Sequence, residues 1–167
     1  VTRLEQNGEL TVLTDQFDGR PYNQPNDLAL DSEGRIYFSD PRYGSRDDMQ
    51  IRDPQGRAIE GVYRIDPDGT VMRIITHEVD RPNGLLITPD DRYLYVADNN
   101  NNVVLAPRKL WRFRLREDGT VAAAVQLTIE NTGAAPFYYS LFVSLSSPDL
   151  PGAVTSTHDL AGLLPGS

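Results

Sequence analysis

Two short segments place a proline and an asparagine directly ahead of an apolar run. Gln24-Pro25-Asn26-Asp27 precedes Leu28-Ala29-Leu30, and Arg81-Pro82-Asn83-Gly84 precedes Leu85-Leu86-Ile87. An asparagine side chain offers a neutral carbonyl oxygen, a hard donor suited to a divalent cation such as Ca2+ or Mg2+. The proline before it restricts the backbone and so limits where the next side chain can point. The same four residues also suit a plain turn, with the asparagine bonding to nearby backbone. Two neutral ligands alone make a weak cation site, because carboxylate charge supplies much of the affinity, so residue types leave both readings open.

Other chemistry has less support. His77 and His158 stand without a serine or carboxylate at any triad-like spacing. The chain has no cysteine, which excludes disulfides, thiolate nucleophiles and thiolate metal sites. No glycine-rich loop of the phosphate-cradling kind is present. The acidic run RDDMQIRD at 46–53 reads first as a solvated loop and only second as a further cation site. Asp40 and Asp98 close aromatic-rich runs, where a carboxylate accepting backbone N–H bonds would cap a turn.

The elements that must position these residues follow from internal repetition. VTRLEQNGELTVL at 1–13, VYRIDPDGTVMRI at 62–74 and LWRFRLREDGTVAAAV at 110–125 share alternating apolar residues, an arginine in third place and a glycine-containing turn. QPNDLALDSEGRIYFSD at 24–40 and RPNGLLITPDDRYLYVAD at 81–98 form a second pattern. Both patterns are β-hairpins by period and by turn chemistry. They alternate along the chain, so a full unit has four strands, and the arginines at 3, 64 and 112 set its length at 61 and then 48 residues. The longer spacing reflects a polar, turn-rich insertion, PRYGSRDDMQIRDPQGRAIEG. Four short antiparallel strands repeating about every 50 residues predict β-propeller blades. The expected fold is all-β: two to three blades of a six-bladed type over residues 1–123, then a few sandwich-like strands over 124–167, where lysine and arginine disappear.

The formal charge of −8 argues against nucleic acid as a partner. No run approaches eighteen consecutive apolar residues, so no membrane-spanning helix is expected. The chain opens at Val1 without a basic-then-apolar leader. That fits a soluble protein of the cytoplasm, or of the periplasm or medium after leader removal.

QPNDLALDSEGRIYFSDPRYG, GVYRIDPDG, VDRPNGLLITPDDRYLYVADNNNN and KLWRFRLREDG resemble, in this order, the SMP-30, gluconolactonase and regucalcin-like family. The resemblance covers about residues 1–123. It implies a six-bladed propeller with one divalent cation at the channel mouth, Ca2+ first and Mg2+ or Zn2+ as substitutes. It also implies hydrolysis of lactones, the metal polarising the carbonyl and helping to orient water. Asn83 matches a family metal ligand. Asn26 matches a residue that is a ligand in some branches and a substrate or metal-water contact in others. Gln24 stands where some members carry a substrate-contacting arginine, and Tyr43 falls near the family's substrate pocket.

The family's site also uses a glutamate from an earlier blade and an aspartate from a later one, and neither has a match here. The expectation is therefore a sugar-lactone hydrolase by ancestry with an incomplete site, its ligand a small lactone or sugar acid. A non-catalytic propeller fragment or a carbohydrate-binding module is the alternative. Open propeller edges would favour self-association. ENTGAAPFYY and the later LLPG are similar to a β-sandwich domain of carbohydrate-acting proteins.

Overall fold

Hairpin turns fall where the sequence places its glycines and aspartates. In DSEG, Gly34 has φ 77° and its N–H bonds to Asp31 O at 3.1 Å. This left-handed position is what a three-residue hairpin loop asks of its last residue. TPDD has no glycine, and Asp91 takes the left-handed conformation instead, at φ 53°. Its N–H closes the turn on Thr88 O at 2.8 Å.

The computed structural model describes residues 1–99, 108–131, 141–146 and 154–156; among them there are strands and no helix. Strands β1 (Thr2–Leu4) and β2 (Leu10–Val12) form the first repeat hairpin. A small hairpin follows, β3 (Gln16–Phe17) with β4 (Arg20–Pro21). The first complete unit is the antiparallel sheet β5 (Leu28–Leu30), β6 (Ile36–Asp40), β7 (Gly61–Ile65) and β8 (Val71–Ile75). The second runs β9 (Pro82–Ile87), β10 (Tyr93–Asp98), β11 (Arg108–Leu115) and β12 (Val121–Asn131). Both hairpin patterns thus fold as their periods predict, and each pair of hairpins makes one propeller blade. The Pro-Asn segment stands at the start of the first strand in both.

Residue 123, where the composition changes, lies inside β12. Strands β13 (Leu141–Ser146) and β14 (Val154–Ser156) continue the second unit's sheet to six strands. TGAAP, LLPG and the second half of ADNNNN (residues 100–102) lie outside the described residues, as does His158.

The two central strands of the first unit, β6 and β7, are buried on both faces, which the period-2 pattern alone does not show. Tyr37 and Val62 face the second unit, packing with Ile75, Val79, Leu94, Val96, Phe113 and Leu115. Their neighbours Phe38 and Tyr63 face the other way, packing with Ile51, Ile59 and Ile65 and against Phe17 and Tyr22. Successive side chains of a strand point to opposite faces, so one strand serves two cores. The insertion is not merely a solvated loop: Met49, Ile51 and Ile59 are buried, and Ile59 has no exposed surface. Two of its carboxylates are paired, Asp48 with Arg42, and Asp53 with Arg57 and His77.

Candidate functional site at the mouth of two adjacent blades

The Pro-Asn segments become neighbours because β5 and β9 lie side by side. Asp27 accepts the Leu85 N–H at 2.8 Å, and Ser39 Oγ donates to Asn83 O at 2.7 Å. The motif difference, aspartate in PND against glycine in PNG, has a structural reading: Asp27 reaches across to the next unit. Gly84 lies beside it, with Asp27 Oδ2 3.8 Å from where a Cβ would stand.

Behind this seam is a buried carboxylate. Asp40 has no exposed surface. It accepts the Asn23 N–H at 2.9 Å, the Gln24 N–H at 2.8 Å and the Asn23 Nδ2 at 3.0 Å. Burial pushes its carboxyl up to about 6; the two backbone N–H bonds work against that rise and the charge of Glu60 adds to it. This is the cap foreseen for Asp40, and it holds the backbone that leads into Pro25-Asn26.

Three of the four expected site residues share one hydrogen-bonded chain. Gln24 Oε1 accepts the Tyr43 N–H at 2.8 Å, and Asn83 Nδ2 donates to the Tyr43 hydroxyl. Asn26 is exposed, its own N–H bonded to Ser39 O at 3.0 Å, and its side chain has no protein partner among the described residues. Asn83 Oδ1 and Gln24 Nε2 are likewise unspent there. Two further residues shape the site without having been singled out in the sequence. Arg81 is 2% exposed with φ 68°, and its guanidinium lies 5.7 Å from the Tyr43 ring centroid. Glu60, also buried, accepts from Arg81 Nε at 3.3 Å and from the Arg42 N–H at 2.6 Å, and pairs with Arg46. The positive φ of Arg81 was invisible in RPNG, and Glu60 stands 21 residues away in sequence.

The free amide oxygens of Asn26 and Asn83 are neutral donors of the kind that suits a divalent cation. Among the described residues no three histidines or carboxylates converge as a metal cluster.

A model of the SMP-30/gluconolactonase/LRE-like region matches residues 1–136. The chain belongs to this family. It is similar to the gluconolactonase of Zymomonas mobilis, 34% identical over 111 residues that make up 65% of this chain and 29% of that one. It is also similar to the lactonase drp35 of Staphylococcus aureus, 30% identical over 74% of this chain and 31% of the relative. The chain thus spans less than a third of the length of these family members. Among solved structures, a gluconolactonase of Xanthomonas campestris superposes with a TM-score of 0.57 at 26% identity. That match covers 89% of this chain and 52% of the other. The family match runs past residue 123 and takes in the whole of β12.

Proposed function

We propose that the chain is part of a metal-dependent hydrolase of sugar lactones, with Asn83 and Asn26 as neutral donors to a divalent cation, Ca2+ before Mg2+ or Zn2+. The observation that carries this reading is the pairing of two equivalent asparagines at the same end of adjacent inner strands. Both side-chain oxygens are free of protein donors, in a chain whose family includes gluconolactonases and lactonases. Gln24 Nε2 and the Tyr43 hydroxyl, which accepts from Asn83 and keeps its own O–H to donate, supply polar contacts for the hydroxyls of a small lactone or sugar acid. The charge needed to bind the ion tightly comes from groups beyond the described residues.

A second reading, a binding module or inactive propeller piece, is favoured by the lack of a converging carboxylate cluster among the described residues. Lactone hydrolysis separates the two. Gluconolactone turnover that needs Ca2+, stops on chelation and falls at least tenfold in Asn83→Ala supports the enzyme. A folded chain with no turnover at any Ca2+ concentration leaves the binding module.

A further inference from the structure

Tyr43 is gripped from three directions at the junction of the two units. Its N–H is held by Gln24 Oε1 at 2.8 Å, its ring lies against the Arg81 guanidinium, and its hydroxyl receives Asn83 Nδ2. Gln24 belongs to the segment leading into the first unit and Asn83 to the second, so Tyr43 ties one mouth to the other. The grip on the ring is itself anchored. Arg81 is buried, ion-paired to the equally buried Glu60, and joined through its carbonyl to the Asn99 N–H at 3.0 Å. Arg81 also carries φ 68° immediately before Pro82-Asn83. A non-glycine residue keeps that conformation only where its surroundings over-determine it.

An asparagine amide has two faces, one donating and one accepting, and a neighbour that takes the donor leaves the oxygen to point elsewhere. We propose that Tyr43 is a positioning residue: its hydroxyl captures Asn83 Nδ2 and so presents Asn83 Oδ1 as the open ligand atom, while Glu60 and Arg81 hold the Tyr43 ring in place. The proposal rests on the cation-site reading above for its functional consequence, but the latch itself is observable without a cation or a substrate. It assigns Tyr43 an indirect role beside the substrate contact proposed above. The roles differ in what the ring alone can do: a phenylalanine keeps the cation–π contact and loses only the capture of the amide.

Asparagine-selective 15N labelling tests this directly. The Asn83 side-chain NH2 signals are identified by their loss in Asn83→Ala. In the wild-type protein they should be shifted from free-amide positions and exchange slowly with solvent. In Tyr43→Phe they should return to free-amide positions with exchange at least tenfold faster, with the melting temperature nearly unchanged. In Arg81→Lys the same signals should broaden, because the ring loses its planar partner. Ca2+ titration of the same samples should show about tenfold weaker binding in Tyr43→Phe.

Wild-type Asn83 NH2 signals that already exchange like free amides overturn the latch, whatever the variants do. So do signals that are the same in wild type and Tyr43→Phe. A latch lost in Tyr43→Phe in a wild-type chain that binds no Ca2+ upholds the positioning and refutes the cation reading. Ca2+ binding that falls in Asn83→Ala but not in Tyr43→Phe, with NH2 signals unchanged, does the reverse.

Discussion

Asp40 carries the clearest pH signature at the residue scale. An unfolded aspartate titrates near pH ~3.9, whereas burial raises folded Asp40 to about 6. Between these values the folded protein keeps a proton that the unfolded chain has lost. Its contribution to stability is therefore full at low pH and declines as pH rises through the window. Asp90 and Asp118, held low by the Thr88 and Thr120 hydroxyls, titrate below that window. Urea midpoints measured from pH 4 to 7 should fall more steeply for the wild type than for Asp40→Asn, whose amide does not titrate. Equal slopes would remove Asp40 as the source. The capping role of Asp40 was legible from its place at a strand end. Arg81 and Glu60 were not, since an ion pair between distant residues and a left-handed φ leave no local trace.

Among the elements, the segment between β6 and β7 behaves least as its composition suggests. It is polar and turn-rich on average, yet Met49 is buried, and Ile51 and Ile59 sink into the same core as Phe38 and Tyr63. Counting polar residues missed this because a few apolar side chains suffice to dock a loop. Ile59→Ala should therefore destabilise the protein by about 2–5 kcal/mol, the range for truncating a fully buried isoleucine. A solvated loop would tolerate the change almost without cost, and chemical denaturation distinguishes the two. The hairpins were legible for the opposite reason, since alternation and turn residues are local and repeat with little change.

Over the whole molecule, the two units share one core and are also latched at the end far from the asparagines. The turn after β11 is caught by Arg35 on Glu117 O at 2.9 Å and by Arg64 on Asp118 O. The Tyr37 hydroxyl bonds Asp31 at 3.0 Å and Gly119 O at 3.3 Å. Trp111, the single tryptophan, sits in the second unit against the shared core. Tyr37→Phe, a change in the first unit, should lower stability by about 1–2 kcal/mol through the lost hydrogen bonds. The Trp111 fluorescence midpoint should move by as much as the circular-dichroism midpoint. Separate midpoints would mean that the units unfold independently.

The amino-acid sequence by itself determined the hairpins, the four-strand unit, the family and the equivalent repeat positions of Asn26 and Asn83. Each of these depends on residues close together in the chain, where period, turn chemistry and motif order are written directly. The tertiary structure alone decided that Asp27 staples the neighbouring unit, that Tyr43 joins Gln24 to Asn83, and that Glu60 and Arg81 stand beneath them. Those contacts bridge residues far apart in the chain. They exist only because lateral packing of two sheets brings their strand mouths together, which no local pattern encodes.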